Sequence, residues 1–183
     1  MIARPLTDFE QVLLGMLVTQ PRSGYDLRKL FTATPASVYQ PSAGAMYPAL
    51  RRLERRGLLR VESAVSAGRR NRRVWHPTEA GRAVHLEWVR QPVRPGTVAA
   101  DLGLHLMRFV MMEEAVPAED VRAFLVSLID ALDAFVDGIK GYAAAEGAQL
   151  GSRHAMLAFR HAIELHQASL DWARNTLAEL SAD

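Results

Sequence analysis

Apolar residues recur along most of this chain at steps of three and four, the period of a helix with one covered face. Phe9, Val12, Leu13, Met16 and Leu17 make the first stripe, behind a cap at Thr7 or Asp8 and ahead of a stop at Pro21. Ser23 and Gly24 open a second helix, with Leu27, Leu30 and Phe31 inward and Arg28 and Lys29 outward. Thr34-Pro35 closes it, and residues 35–41 read as an extended linker. A third helix is predicted from Ser42 to Arg56. Met46, Leu50 and Leu53 share one narrow face of it, while Gly44, Tyr47, Pro48, Arg51 and Arg55 fall roughly opposite. Ser42 suits the N-cap, and Gly57 suits the left-handed residue that ends a helix. Phe9, Leu13, Leu30, Leu50 and Leu53 are the expected core of these three helices.

The period then changes. A strand at Leu59–Glu62, a loop SAVSAGRRNRR and a strand at Val74–Pro77 form a hairpin with a basic tip. A helix follows from Thr78 to about Gln91, with Val84 and Trp88 on one face. PVRPG at 92–96 is the clearest boundary in the chain, and 98–112 reads as a short apolar helix. Two longer helices, 118–142 and 152–182, carry apolar residues at alternating steps of four and three, an a/d seam. Gly138, Gly141 and Gly147 are expected to weaken the end of the first and mark the turn between them. Two such seams joined by a short turn predict an antiparallel helix pair. Leu125, Leu128, Leu132 and Phe135 on one seam and Ile163, Leu170 and Leu177 on the other are candidate dimer contacts. Phe124, Val136, Leu157 and Trp172 fall off the seams, and this second stripe asks for a second partner, the same helices of another subunit. The expected fold is mainly α. A winged helix-turn-helix of three helices and a two-stranded wing spans 1–90, and an α-helical dimerisation domain spans 91–183.

Charge sharpens this division. The net charge of +2 hides +9 over residues 1–95 and −7 over residues 96–183. Nine arginines against two carboxylates, Glu54 and Glu62, lie between Arg51 and Arg73. A basic half joined to an acidic half suggests that one half meets nucleic acid and the other does not. A helix presenting Tyr47, Arg51 and Arg55 beside a hairpin carrying Arg69, Arg70, Arg72 and Arg73 has the parts of a groove reader with a phosphate clamp. Arginine outnumbers lysine 20 to 2 across the whole chain, so codon bias in a GC-rich genome explains that ratio as well as DNA binding does.

At this point the sequence resembles a family. SAGAMYPALRRLERRGLL is similar to the PadR-type regulator pattern SxGxxYPxLxRLExxGLL, with Ser42, Gly44, Tyr47, Pro48, Leu50, Arg52, Leu53, Glu54, Gly57, Leu58 and Leu59 in register. PTEAGR at 77–82 resembles that family's LTxxGR, and SGYDLRKLF at 23–31 fits its second helix. Trp75 and Pro77 depart from the pattern, which has Tyr and an aliphatic residue there. The resemblance covers residues 6–90. It implies a winged helix whose third helix reads double-stranded DNA, and it supports Ser42, Gly44, Tyr47 and Pro48 as pattern positions. Arg51, Arg55 and the wing arginines rest on the helical-face argument alone.

Other chemistry finds little support. No cysteine is present, so disulfides, thiolate metal sites and cysteine nucleophiles are excluded. His161 and His166 are five apart, His154 and His161 seven apart, and no carboxylate pair completes a metal site. His166 reads as a hydrogen-bonded core residue. Neither a phosphate loop nor a nucleophile elbow occurs, so no enzyme, cofactor or metal is expected. No apolar run reaches membrane-spanning length, and the N-terminus with Asp8 and Glu10 does not read as a signal peptide. The reading is a cytoplasmic, nucleoid-associated, homodimeric repressor that binds an inverted-repeat operator. The alternatives are a sequence-tolerant nucleoid-structuring protein and a winged-helix protein–protein adaptor. A small aromatic or phenolic effector is expected from the resemblance, with Trp88, Leu106, Phe109, Met111, Phe159 and Trp172 as its candidate lining. Trp88 taken singly reads as a packing residue.

Overall fold

The computed structural model describes residues 4–33, 43–66, 69–113, 115–146 and 152–182. In chain order the elements are α1 (Asp8–Thr19), β1 (Arg22–Ser23), α2 (Gly24–Ala33), α3 (Ala43–Arg55), β2 (Leu59–Ser66), β3 (Arg69–Pro77), α4 (Glu79–Arg90), α5 (Val98–Met112), α6 (Ala118–Glu146) and α7 (Arg153–Ala182). The chain divides into two compact units, 1–89 with 106–115, and 90–105 with 116–183. Residues 106–115 belong to the first unit although they follow 90–105 in the chain.

In the first unit α1 starts at a full capping box. The Thr7 hydroxyl accepts from the Glu10 amide at 3.3 Å, and the Glu10 carboxylate accepts from the Thr7 amide at 3.0 Å. Leu13, Leu17, Leu27, Leu50 and Leu53 are fully buried, whereas Phe9 and Leu30, also expected in the core, are only half-buried. Each fully buried leucine contributes roughly 1.5–3 kcal/mol through the apolar area it removes from water. The sheet has the order β1-β3-β2, antiparallel throughout. The two-residue β1 was not legible, because its pairing of Arg22 with Trp75 and Ser23 with Val74 is a purely tertiary event. The two wing strands run further than expected, pairing out to Ser66 and Arg69 past an irregularity between Ala64 and Ser66. Alternation of apolar side chains stops at Glu62, but backbone pairing does not need it. Trp75 lies mid-strand between β1 and β2 and is buried, so its departure from the tyrosine of the pattern is absorbed by the core.

Also in this unit, His85 on α4 is 1% exposed. Its ring centroid lies 6.1 Å from that of Trp88. Burial pushes its pKa below the ordinary 6.5, and the Met111 carbonyl offsets part of that shift. The unfolded chain therefore binds a proton that the folded chain refuses. Stability is full above about pH 6.5 and falls as pH drops below it toward the folded value. Thermal melts from pH 8 to 5 are expected to show this decline, and His85→Leu should remove that part of the slope. An identical slope in the variant would assign it to other groups.

In the second unit α6 and α7 pair antiparallel, as the seams predicted. Arg122 donates to the Leu180 carbonyl at 2.8 Å, Arg174 bridges Asp133 at 2.6 Å, and Lys140 donates to Gln167 at 3.1 Å. His166 is buried as expected, its Nδ1 2.8 Å from the Ala162 carbonyl oxygen and its ring edge-on to Phe135. Helix α6 passes straight through Gly138 and Gly141, because packing against α7 outweighs the roughly 1 kcal/mol that each glycine costs a helix. Leu125, Leu128 and Leu132 are 0% exposed and Leu170 is 1% exposed within a single chain, so they are spent on the intramolecular hairpin. Phe135, Ile163 and Leu177 are half-buried. The off-seam Phe124 and Val136 are buried too, and only Leu157 of that stripe is exposed, Trp172 being half-buried.

Candidate nucleic-acid interface

Helix α3 is anchored at both ends of its apolar face. Met46, Ala49, Leu50 and Leu53 are buried, and Gly57 ends the helix at φ +72°. The Gly57 amide donates to the Glu54 carbonyl at 2.8 Å and the Leu58 amide to the Leu53 carbonyl at 3.0 Å, a complete Schellman turn. Thr78 then locks this turn to the start of α4. Its amide donates to the Leu58 carbonyl at 3.0 Å, its hydroxyl donates to the Gly57 carbonyl at 2.6 Å, and the same hydroxyl accepts from the Gly81 amide at 3.1 Å. Gly81 lies against the Leu58 carbonyl, where a Cβ would overlap it. The motif PTEAGR is thus a clasp that sets α3 and the wing relative to α4.

With that face fixed, Gly44, Tyr47, Pro48, Arg51 and Arg55 are all exposed, as the helical period required. Ser42 lies outside the described residues. Pro48, Arg51 and Arg55 line one cleft of about 390 Å³ together with Arg52, Glu54 and Arg73 of β3. The structure therefore brings α3 and the wing arginine Arg73 to one concave basic surface. The backbones of Arg69 and Arg72 pair with Ser66 and Ala64, on a strand and not in a loop. The side chains of Arg69, Arg70 and Arg72 lie outside the described residues. Tyr47 turns the other way, over the start of α2. A Cβ on Gly24 would come within 2.7 Å of its ring, so the glycine of SGYD makes room for that ring. Tyr25 and Tyr47 are 55% and 49% exposed. Tyr25 carries Arg28 over its face at 5.8 Å. Sequence reasoning missed Tyr25, which had no helical partner pattern to mark it.

A second set of contacts sets the angle of α3 against α1. Arg52 donates through Nε to the Glu10 carboxylate at 2.6 Å. Burial alone would raise the Glu10 pKa. The hydrogen bonds from the Thr7 amide and Arg52, with the Arg52 charge, outweigh it and hold the carboxyl below 4.5. The bridge is therefore complete at neutral pH and weakens only in acid, below the ordinary carboxylate range.

Of the effector candidates, Trp88 and Met111 are buried in the first unit, Phe109 is half-buried there and Leu106 is exposed there. Arg108 sits 5.7 Å over the Trp88 ring and donates to the Val89 carbonyl at 3.2 Å; burial lowers its pKa to about 10, so it stays charged at neutral pH. Met111 also borders a cleft of about 260 Å³ with Val18, Thr19, Arg82, Leu86 and Glu113. Phe159 and Trp172 are half-buried in the second unit.

The description "Transcriptional regulator PadR-like family" matches residues 13–87. A curated relative, the probable transcriptional regulator Rv1176c of Mycobacterium tuberculosis, is 24% identical over 172 residues, covering 87% of this chain and 90% of its own. Bacillus subtilis PadR in complex with operator DNA is similar at 17% identity and a TM-score of 0.47, covering 97% of this chain and 99% of that one. The PadR-like regulator BC1756 of Bacillus cereus is similar at 22% identity and a TM-score of 0.44, covering 97% and 98%. The matched segment holds α3, the wing and the start of α4, and over residues 13–87 the chain is similar to the PadR-like family of transcriptional regulators.

Proposed function

We propose that this protein is a homodimeric repressor that binds an inverted-repeat operator in the cytoplasm, on the nucleoid. The observation that carries the reading is the exposed face of α3, Tyr47, Arg51 and Arg55, opposite a fully buried apolar face and continuous with Arg73 of the wing. In this reading α3 lies in the major groove. Arg51 and Arg55 address base edges, Gly44 lets the backbone approach a phosphate, and the wing arginines Arg69, Arg70, Arg72 and Arg73 hold the sugar-phosphate backbone. Dimerisation supports the reading through what one chain leaves uncovered. Val126 on α6 and Met156, Leu157 and Leu165 on α7 remain 38–49% exposed. These residues replace the seam leucines as the surface that a second copy would cover. Two reading helices related by a two-fold axis require half-sites about one helical turn apart, or a multiple of it. Release by a small aromatic or phenolic compound is the regulation to test first, the class of the p-coumaric acid found in a structure of Bacillus subtilis PadR.

The deciding experiment is recovery of protein-bound DNA across the source genome, followed by competition with random-sequence duplex. A small set of sites with a shared inverted repeat, resistant to equal amounts of competitor, is the expected result. Uniform coverage displaced at equal competitor would make this a nucleoid-structuring protein instead.

A further inference from the structure

Arg51 and Arg55 account for one side of α3, and two more arginines at its C-terminal end lie on the flank of that face. Arg52 and Arg56 lie about 100° further round the helix, toward α1. There they line a second cleft of about 310 Å³ with Arg55, Glu10, Pro5 and Arg4, which adjoins the first and shares Arg52 and Arg55 with it. Cations at the C-terminal end of a helix complement its dipole, and that explains Arg52 and Arg55. It does not explain Arg4, which comes from the segment before α1. The capping box at Thr7 and Glu10 fixes where the chain enters α1. Pro5, with its restricted backbone, then directs Arg4 over the last turn of α3. The one carboxylate in the cleft is Glu10, and it is already committed to the Thr7 amide and to Nε of Arg52. Among the described residues Arg52 is bonded through Nε alone, and its side chain stays 43% exposed, so its terminal nitrogens remain for another acceptor. Among the described residues no carboxylate pairs with Arg4, Arg55 or Arg56. Four guanidinium groups around one neutralised carboxylate make a cleft that repels itself until an anion enters. Planar guanidinium forks match phosphate oxygens in pairs.

We propose that Arg4, Arg52 and Arg56 form a second phosphate clamp, on the α1 side of α3, gripping a DNA backbone phosphate while the wing grips another on the opposite side of the reading helix. The clamp rests on the DNA-binding reading above and adds contacts to it. It holds α3 in register from both flanks and carries no base specificity of its own.

The test uses the full chain and a duplex recovered from the genome-wide experiment. Affinity is measured over a salt series for the wild type, for Arg4→Ala with Arg56→Ala, for the same pair changed to lysine, and for Arg160→Ala. Arg160 is an exposed residue of α7 that pairs with Glu164, and it serves as a control for net charge. Losing the grip on one phosphate per subunit, two per dimer, should flatten the log–log salt slope by up to about 1.8 and weaken binding roughly tenfold or more at 0.15 M salt. Lysine at both positions should restore most of the slope, Arg160→Ala should change neither quantity, and the preference for the recovered duplex over random duplex should persist. A double alanine variant with the wild-type slope and affinity would overturn the clamp while leaving the DNA-binding reading intact. A wild type that binds no duplex at low salt would overturn both. Thermal melts with inorganic phosphate cover the remaining source of the same chemistry. Stabilisation of the wild type but not of the double alanine variant, with an unchanged DNA slope, would make the cleft a free-anion site and overturn the proposal.

Discussion

Changing Arg51 and Arg55 together to alanine is expected to lower affinity for the recovered duplex roughly a hundredfold or more, with the thermal midpoint unchanged. A well-formed bidentate base contact is worth roughly 1–3 kcal/mol, and the two arginines stand one turn apart on the same exposed face. Neither holds a hydrogen bond or ion pair among the described residues, so nothing in the folded chain is lost with them. Leu50→Ala supplies the contrast. Leu50 is fully buried beneath the same helix, and its truncation should cost about 2–5 kcal/mol of stability. The two effects separate by their readouts, binding for the arginines and melting for the leucine. Affinity within threefold of the wild type for the double arginine variant would remove this face from the groove.

The reading face was legible because a helix fixes it by arithmetic. Once Met46, Leu50 and Leu53 go inward, Tyr47, Arg51 and Arg55 have one place left. The α6–α7 pairing was legible for the same reason, since a seam of period 3.5 has only another seam to meet. Failures came where tertiary contacts override local signal. Strand β1 is two residues long and exists only because β3 offers it an edge. Arg69 and Arg72 were placed in a loop because the apolar alternation ends at Glu62, yet their backbones continue the ladder. The seam leucines read as dimer contacts because a heptad pattern does not say which partner fills it. Here the partner is the same chain. Arg4 was passed over because a single arginine before a helix cap has no period at all. Its neighbours Arg52 and Arg56 lie 48 and 52 residues away in sequence.

Two glycine-to-alanine changes should move stability in opposite directions for reasons visible in the fold. At Gly81 an added Cβ meets the Leu58 carbonyl, the same oxygen that accepts from the Thr78 amide. Backbone cannot rotate aside as a side chain can, so either α4 or the turn after α3 must shift. Overpacking of this kind costs typically 1–3 kcal/mol, occasionally more. Because the shifted turn joins α3 to the wing, Gly81→Ala should also weaken DNA binding under conditions where the variant is still folded. At Gly138 a Cβ meets nothing within 4 Å, and the residue is exposed in the interior of α6. There alanine has the better helix propensity and a less disordered unfolded chain, and Gly138→Ala should stabilise by about 0.4–1 kcal/mol with DNA binding unchanged. Paired thermal melts and duplex titrations on the two variants check both signs. A Gly81→Ala protein that melts with the wild type would mean that the Thr78–Leu58 clasp is loose enough to yield, and the clasp could then no longer be held to set the angle between α3 and the wing.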